Sequence, residues 1–314
     1  MHHVPVIDIS NPSATESAAV DRACADHGFF LLRGHGLDDL IERTFQEGQR
    51  LFAADRSVKD SIARTIDNPL GYYDRELTKR VRDHKEVFDY IDPDKDAGRS
   101  RNRWPDGLIG YQETLVEFFD AFSDLAERTV ALVHDTLGLS GEVADRHRGS
   151  RRASTVRLNH YNIGDPVPEE QRGELADLAP VALGHHTDPG VLTLLLQDGV
   201  GGLQAESAEH GWIDVEPEPG TIVVNLGDVM QVWTNDRYRA AVHRVLPMTT
   251  STRMSIPYFF NPSPSLLVEP IRELDLGADR YRPFVWAEFM QARIDDNFTD
   301  EGDDTQISDY AVAQ

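Results

Sequence analysis

The alternation of apolar and polar positions divides the chain into a mostly helical first half and a strand-rich second half. Strands are predicted at residues 4–9 and 29–32, with a helix between them at about residues 16–27. Apolar side chains recur at helical spacing in residues 37–53 and, most regularly, in residues 112–137. The last of these segments is predicted to be a long helix that supports a sheet.

After about residue 151 the pattern changes to short apolar runs that are separated by turn residues. Seven such runs follow one another, at residues 154–161, 191–197, 202–206, 212–215, 221–226, 241–246 and 254–260. Several short strands at regular spacing are typical of a sandwich, barrel or jelly roll. We therefore predict a mainly β protein with flanking helices, in which residues 1–150 form an N-terminal region that packs on a core of residues 151–294.

The end of the chain, residues 295–314, is predicted to be an acidic tail. Between Asp295 and Tyr310 it contains seven acidic residues and no basic one. Repulsion between like charges favours a solvated, frayed segment over a packed one. Because no repeat or low-complexity linker separates these parts, the chain is expected to form one structural unit.

The composition limits the classes of partner and location. The formal net charge of −23 repels nucleic acid phosphates and anionic lipid surfaces, so neither nucleic acid nor a membrane is expected as a partner. No apolar run approaches the ~20 residues that span a bilayer, and the first residues do not resemble a signal peptide. The single cysteine, Cys24, excludes an intramolecular disulfide and a cysteine-based metal site, so a cytoplasmic location is expected.

His186 and Asp188 stand two positions apart, just before a predicted strand. Because side chains two apart in a strand point to the same face, the imidazole and the carboxylate can converge, and His243 in a later strand supplies a third donor. Two imidazoles and one carboxylate on one face of an ion leave other positions open, which is typical of non-haem Fe(II) oxygenases. With twelve histidines in the chain, such a set also arises by chance.

Arg253 and Ser255 form a second pair at the same spacing, ten residues after His243. The planar guanidinium of arginine pairs bidentately with a carboxylate, and the serine hydroxyl adds another donor. Inside a barrel this pair would bind the distal carboxylate of a dicarboxylic cosubstrate whose 2-oxo acid end chelates the metal. On an edge strand the same residues would be only a surface charge and a small filler.

Together, several segments resemble the isopenicillin N synthase-like family of Fe(II)/2-oxoglutarate-dependent oxygenases. They are residues 186–198, 219–228, 243–245 and 253–255 in the second half, and 4–8, 27–36 and 85–89 in the first. The resemblance covers about residues 4–290. It implies a double-stranded β-helix (jelly-roll) core with the metal at its mouth, and a dioxygenase that uses Fe(II), 2-oxoglutarate and dioxygen.

The resemblance also implies roles for individual residues. It assigns three residues to Fe(II): His186, Asp188 and His243. It assigns four residues to 2-oxoglutarate: Arg253, Ser255, Asn159 and Tyr161. The implied reaction is the hydroxylation of a small molecule, or its desaturation or ring closure, with release of succinate and carbon dioxide.

Strand parity extends this prediction to the prime substrate. If Asn159 faces inward, Arg157 does too, and a buried arginine needs either a substrate carboxylate or a resident Asp or Glu as partner. Phe259 and Asn261 continue the inward face of Ser255. Family members often build a lid from the region around Tyr72. The predicted substrate-binding residues are therefore Arg157, Phe259, Asn261 and Tyr72.

Three other functions fit parts of the same pattern. An isopenicillin N synthase-like oxidase would use no 2-oxoglutarate, and Arg253 and Ser255 would then bind the carboxylate of the substrate itself. A jelly-roll binding protein without turnover is the alternative outside enzymes. A zinc hydrolase is disfavoured because no general base is positioned beyond the ligands.

Overall fold

The computed structural model describes residues 4–78, 81–93, 101–173, 175–207, 209–298 and 305–312. Its helices are α1 (Ala14–Asp26), α2 (Asp38–Phe52), α3 (Arg56–Ser61), α4 (Tyr111–Leu137), α5 (Gly141–Arg146), α6 (Asp228–Trp233) and α7 (Trp286–Phe298). Its strands are β1 (Val6–Asp8), β2 (Phe29–Arg33), β3 (Gly71–Tyr73), β4 (Leu77–Thr78), β5 (Val81–Arg82), β6 (Lys85–Ile91), β7 (Thr155–Tyr161), β8 (Leu183–His186), β9 (Leu192–Gln197), β10 (Leu203–Ser207), β11 (Gly211–Asp214), β12 (Ile222–Leu226), β13 (His243–Val245), β14 (Arg253–Phe260), β15 (Leu267–Val268) and β16 (Phe284–Val285). None of the helices in these ranges combines the length and apolar character needed to cross a membrane.

Eight strands of the second half, β7 to β14, wind around one core. The strands β7, β9, β12 and β14 belong to an eight-stranded sheet with the order β1-β2-β12-β9-β14-β7-β6-β3, and β8, β10, β11 and β13 form a four-stranded sheet with the order β11-β10-β13-β8. Apart from the β10–β11 hairpin, consecutive strands alternate between the two sheets. This is the predicted double-stranded β-helix, and the expectation of a mainly β protein with flanking helices is confirmed.

The first third of the chain extends the larger sheet at both of its ends. The strand β2 pairs antiparallel with β12, and β1 joins β2 in parallel. At the opposite end β6 pairs along the whole of β7, and β3 pairs with β6. The N-terminal region therefore continues the sheet of the core and does not merely pack on it.

Helix α4 supports the larger sheet from behind, as its apolar pattern predicts. Its buried positions recur every three or four residues and include Leu115, Phe118, Phe119 and Phe122. The ring of Phe119 lies edge-on to Tyr258 of β14, with 5.4 Å between centroids. The helix ends at Gly138, whose φ of +71° is the left-handed conformation that commonly closes a helix. The sheet is thus held from one side, and its other face is free to line a cavity.

The register of the larger sheet brings polar residues into rows on that other face. Thr193 of β9 lies between Asn225 of β12 and Phe259 of β14. Four residues further along the same face of β9, Gln197 lies beside Ser255 of β14. Each row therefore brings together side chains that are far apart in the sequence.

The acidic tail does not fray over its whole length. Residues 299–304 and 313–314 of it lie outside the described residues, but Ile307–Tyr310 forms a 3₁₀ turn. The ring of Tyr310 packs on Phe284, with centroids 4.4 Å apart, and lies edge-on to Phe289. The expectation of a frayed segment does not hold for this turn, although none of its residues is buried, because contacts with two aromatic side chains fix it.

Candidate metal centre and its cavity

Three side chains with metal-binding atoms meet at the edge of the smaller sheet. His186 ends β8, His243 begins β13, and the two residues stand opposite each other in the paired strands. Asp188 follows in the loop that leads to β9. Its Oδ1 lies 3.8 Å from Nε2 of His186 and 3.9 Å from Nε2 of His243. The pattern suggested a strand through Asp188, whereas the strand ends at His186 and the loop brings the carboxylate to the imidazoles.

Backbone carbonyls determine which nitrogen of each imidazole faces the centre. The Nδ1 of His186 lies 2.8 Å from the carbonyl oxygen of Gly184, and the Nδ1 of His243 lies 3.0 Å from that of Ala241. Because a carbonyl can only accept, each Nδ1 carries the proton and donates it. The Nε2 lone pairs are therefore directed toward Asp188, as in protein metal sites whose ligands are oriented by outer hydrogen bonds.

The electrostatics of the cluster favour the protonation states that bind a metal. Burial and the neighbouring His243 lower the pKa of His186 to about 3, so its imidazole is neutral near pH 7. Burial alone would raise the pKa of Asp188. The two imidazoles and the hydrogen bonds from Thr193 and Asn225 outweigh burial and lower that pKa, so Asp188 is a carboxylate.

Arg253 enters the same cavity as a buried cation without a carboxylate partner. Its side chain is 1% exposed, and its Nη2 donates to Oε1 of Gln197 at 3.0 Å. The Gln197 amide is itself fixed, because its Nε2 donates to the carbonyl of Val215. The ring of Tyr161 lies 5.0 Å from the guanidinium carbon. Among the described residues, Nε and Nη1 have no hydrogen-bond partner, and burial lowers the pKa of Arg253.

Ser255 and Asn159 lie beside Arg253 on neighbouring strands. The Nδ2 of Asn159 lies 3.4 Å from the hydroxyl of Ser255, which is a long hydrogen bond. The Oδ1 of Asn159 is buried, and no partner for it occurs in the part of the chain that the structure describes. This corner of the cavity therefore contains polar groups that the protein itself does not satisfy.

A cavity of about 570 Å³ connects these groups. Its volume lies within the range of about 300–1,000 Å³ that is common for small-molecule sites. Ten of the sequence-predicted site residues line it: His186, Asp188, His243, Arg253, Ser255, Asn159, Tyr161, Arg157, Phe259 and Asn261. Residues that are distant in sequence thus share one cavity.

The side of the cavity formed by β6 and β7 is a charged wall, consisting of Arg64, Glu76, Lys85, Asp89 and Arg157. Both nitrogens of one edge of Arg157 donate to Asp89, at 2.7 and 2.9 Å, and its Nη1 donates to Glu76 at 2.9 Å. Arg64 also binds both carboxylates, and Lys85 lies 3.2 Å from Oε2 of Glu76. Of the two partners considered for Arg157, the resident carboxylate is therefore present.

The charged wall shifts the pKa values of its members in the directions that keep them charged. Burial alone would raise the pKa of Glu76, but Arg157, Lys85 and Arg64 lower it far below the usual glutamate value. Burial alone would lower the pKa of Arg157, but the carboxylates of Asp89 and Glu76 raise it. These ion pairs are thus formed within the protein, without a ligand.

The structure does not bring Tyr72 to the cavity. Tyr72 is buried on the opposite face of β3, where its hydroxyl donates to Oε2 of Glu86 at 2.7 Å and its ring faces the ammonium of Lys59. Because neighbouring residues of a strand face opposite sides, it is Tyr73 that lines the cavity. The resemblance indicates the correct region of the chain but not which of the two neighbouring residues faces the cavity.

The other two predicted substrate contacts differ in what they offer. Phe259 is only partly buried and presents its ring to the cavity. Asn261 also lines the cavity, but its Nδ2 donates to the carbonyl of Ala153 at 3.0 Å. Phe259 therefore provides free apolar surface, whereas the amide group of Asn261 is occupied by the protein.

Sequence reasoning did not find several residues of the site. Thr193 and Asn225 both donate to Oδ2 of Asp188, and Gln197 orients Arg253. Thr193 and Asn225 each interrupt an otherwise apolar buried strand, and this signal could have found them because a polar side chain in such a run needs a partner. Glu76 lies in a loop, where no periodic signal exists.

Two protein-family models match this chain. Residues 153–262 match the family model of the 2OG-Fe(II) oxygenase superfamily. Residues 4–107 match the model described as non-haem dioxygenase in morphine synthesis, N-terminal. The two matches cover the strand-rich core and most of the N-terminal region.

Individual relatives match over nearly the whole chain. Gibberellin 3-beta-dioxygenase 2-2 of Triticum aestivum is 32% identical over 301 residues, which are 92% of this chain and 78% of the relative. Among solved structures, the dioxygenase for auxin oxidation from rice is 27% identical with a TM-score of 0.76, covering 99% of this chain and 100% of that one. A full-length Neurospora crassa protein in complex with alpha-KG and thymine is 26% identical with a TM-score of 0.76, covering 93% and 96%.

Proposed function

Because the chain belongs to the superfamily of 2-oxoglutarate- and Fe(II)-dependent oxygenases, we propose that His186, Asp188 and His243 hold its Fe(II). The protein is an enzyme of this class and uses both cofactors. Arg253 and Ser255 bind the distal carboxylate of 2-oxoglutarate in this proposal. The observation that carries it is that the three ligand atoms and an unpaired buried guanidinium line one cavity.

The donor set fits Fe(II). The ligand atoms of His186, Asp188 and His243 all lie within 4.8 Å of one another, a spacing that one ion at the middle can bridge. Two neutral imidazoles and one carboxylate suit a divalent ion whose redox chemistry must stay accessible, and they leave positions for a cosubstrate. The carbonyls that fix both imidazoles support a preformed site.

The surroundings of Arg253 fit a dicarboxylate. A buried cation with two unsatisfied nitrogens is unfavourable until an anion meets it. A carboxylate that accepts from Nη2 together with either Nε or Nη1 would form the bidentate pair that guanidinium geometry favours. The hydroxyl of Ser255 and the amide of Asn159 border the same space, and the phenol ring of Tyr161 covers one face of Arg253.

In this proposal the residues of the chain bind and orient the metal and the cosubstrate. When bound, Fe(II) and 2-oxoglutarate supply the oxidising chemistry, and the cosubstrate leaves as succinate and carbon dioxide. Gly184 and Ala241 keep the two imidazoles in the tautomer that coordinates a metal. Gln197 holds the guanidinium of Arg253 in place.

The prime substrate is proposed to lie between the metal centre and the charged wall. Phe259 offers it an apolar ring. The side chain of Arg157 is 25% exposed although three of its N–H groups are held by Asp89 and Glu76. Its remaining N–H groups are available to an oxygen atom of the substrate. Asn261 contributes shape more than hydrogen bonds, and Tyr72 is not part of this proposal.

The substrate class is proposed to be a small molecule. The relatives are named for gibberellin and for auxin, and one neighbour was crystallised with thymine, all of which are small molecules. The volume of about 570 Å³ supports this size class. A cytoplasmic location, supported by the lone buried Cys24, remains part of the proposal and is testable by cell fractionation.

Anaerobic titration tests the residue assignments directly. Purified protein is titrated with Fe(II) and 2-oxoglutarate while the weak visible charge-transfer band of the complex is followed. His186→Ala and His243→Ala should lose the band, whereas His210→Ala, a histidine outside the cavity, should retain it. A normal band in either cavity variant would contradict the metal assignment.

Succinate release tests the use of the cosubstrate. Under air, the wild-type protein should convert 2-oxoglutarate slowly to succinate even without its prime substrate, and a substrate screen can be read by the rise in succinate. Arg253→Ala should raise the 2-oxoglutarate concentration required. Substrate oxidation without succinate would instead favour the isopenicillin N synthase-like oxidase.

A further inference from the structure

The two oxygens of the Asp188 carboxylate have different surroundings. Oδ1 faces Nε2 of both histidines, at 3.8 and 3.9 Å. Oδ2 points away from them and accepts two hydrogen bonds, from Oγ1 of Thr193 at 2.5 Å and from Nδ2 of Asn225 at 2.8 Å. Only Oδ1 is therefore directed toward the candidate metal position.

The directions of both hydrogen bonds follow from the chemistry of the groups. A carboxylate can only accept, and an amide nitrogen can only donate, so Asn225 and Thr193 are both donors to Asp188. The two donors are 1% and 2% exposed, so bulk water has little access to replace either of them. Hydrogen bonds to a charged acceptor are also stronger than those between neutral groups.

Neighbouring strands hold the two donors in fixed positions. Thr193 of β9 and Asn225 of β12 stand directly opposite each other inside the larger sheet. The backbone of Asp188 is tied to the start of α6 as well, because its carbonyl accepts from the amide of Asp228 at 2.8 Å. A side chain at Gly227 would lie 2.8 Å from that carbonyl, so the approach is as close as glycine allows.

We propose that Thr193 and Asn225 are positioning residues that keep Asp188 a monodentate ligand. This inference rests on the proposed function, in which Asp188 binds Fe(II). With Oδ2 occupied by two donors, the carboxylate contributes one oxygen, and a six-coordinate ion retains three positions for cosubstrates. A carboxylate free to turn would bind through both oxygens and block one of these positions.

Cobalt(II) is a suitable probe, because the intensity of its d–d absorption reports the coordination number without turnover. Thr193→Val keeps the size of the side chain but removes the donor. It should weaken Co(II) and Fe(II) binding by about ten- to a hundredfold, which is typical for the loss of an outer hydrogen bond to a ligand. It should also change the d–d spectrum. Thr193→Ser restores a hydroxyl and should restore both readouts.

Matched variants separate positioning from packing. Asn225→Leu removes the second donor and should change the same two readouts. Thr129→Val removes a buried threonine hydrogen bond to Leu125 in α4, far from the cavity, and should leave both unchanged. Thermal unfolding of each metal-free variant reports whether it is folded. Thr193→Ala, which adds no bulk, takes the place of Thr193→Val should that variant not fold.

Two results would overturn the inference. One is a folded Thr193→Val or Thr193→Ala protein with wild-type Co(II) affinity and spectrum. The other is a Thr193→Ser protein that remains as impaired as Thr193→Val, since packing alone would then be responsible. Failure of the proposed function looks different, because Co(II) binding by the wild-type protein would be absent or would survive His186→Ala.

Discussion

Two groups of buried cations line the same cavity, and they differ in what neutralises them. In the charged wall, Arg64, Lys85 and Arg157 all contact the carboxylate of Glu76, and the two arginines also bind Asp89. On the side formed by β9 and β14, Arg253 has only an amide oxygen and an aromatic ring as partners among the described residues. Carboxylates of the chain neutralise the cations of the charged wall, whereas no carboxylate of the described residues pairs with Arg253.

This difference separates a structural role from a binding role. A buried charge without a carboxylate partner is unfavourable, which supports the proposal that Arg253 receives its carboxylate from a ligand. The ion pairs of the charged wall are formed before any ligand binds. Both Arg157 and Arg253 carry a charge that faces the cavity, and it is the presence or absence of carboxylate partners that assigns them different roles.

The largest effect is expected from breaking the charged wall. Asp89→Ala leaves Arg157 and Arg64 without one of their two carboxylates, and removing one partner of a buried ion pair destabilises proteins by about 3–5 kcal/mol. Urea unfolding of the metal-free protein should show a loss of this size. Asp145→Ala, which removes an exposed carboxylate on α5, should change the free energy of unfolding by no more than about 0.5 kcal/mol.

A loss of unfolding free energy for Asp89→Ala as small as that for Asp145→Ala would contradict the distinction between the charged wall and Arg253. The ion pairs of the charged wall would then contribute little to the fold. Arg157 would in that case be available for a substrate in the same way that Arg253 is available for 2-oxoglutarate.

Substitution of Arg253 is expected to have a smaller effect on the free energy of unfolding, and one of the opposite sign. Arg253→Met replaces an unpaired buried cation by an apolar chain of similar length, so the metal-free protein should be as stable as the wild type or more stable. Hydrogen bonds to a charged group contribute about 1.5–3 kcal/mol each. The affinity for 2-oxoglutarate should therefore fall about ten- to a few hundredfold, at ~1.4 kcal/mol per decade.

The rise of the unfolding temperature with 2-oxoglutarate and Fe(II) measures this affinity, because a ligand that binds only the folded state stabilises it. Arg253→Lys keeps the charge but not the planar fork and should fall between the wild type and Arg253→Met. A metal-free Arg253→Met protein destabilised as strongly as Asp89→Ala would assign Arg253 a structural role and remove the contrast.

The sequence predicted Arg253 and the residues near it better than it predicted the charged wall. Arg253 and Ser255 stand two positions apart on one strand face, so both the periodicity and the family resemblance predict them. The same holds for three residues near strand ends: His186, Asp188 and His243. The resemblance indicates only the region of a lid around Tyr72, and without a predicted strand it does not decide which neighbouring residue faces the cavity; in β3 it is Tyr73.

The ion pairs of the charged wall could not be predicted from the sequence, for a different reason. Its partners come from a loop, from β6 and from β7, and a pairing between Glu76 and Arg157 across 81 positions leaves no local trace. Lys85 and Asp89 do share one face of β6, but a charged strand face is usually solvated. Only the pairing of β6 with β7, which sets Asp89 directly opposite Arg157, turns these charges into a buried network.

The smallest expected effect is on the stability of the protein in acid, and it again distinguishes the charged wall from Arg253. The cations of the charged wall hold the pKa of Glu76 below its usual value of 4.5 in the folded protein. The unfolded chain then binds a proton that the folded protein does not. The stability that Glu76 contributes is therefore fully present above about pH 4.5 and is lost as the pH falls, by up to about 1.4 kcal/mol per pH unit.

Unfolding free energies of the metal-free proteins, measured from pH 4.5 to 3.5, test this directly. Glu76→Gln cannot titrate, so its stability should fall less steeply than that of the wild type, by up to about 1.4 kcal/mol over that interval. Arg253→Met should keep the wild-type slope, because an arginine stays protonated throughout this range. Equal slopes for the wild type and Glu76→Gln would mean that Glu76 takes up its proton in the folded protein at an ordinary pH. The charged wall would then lack the strong pairing that sets it apart from Arg253.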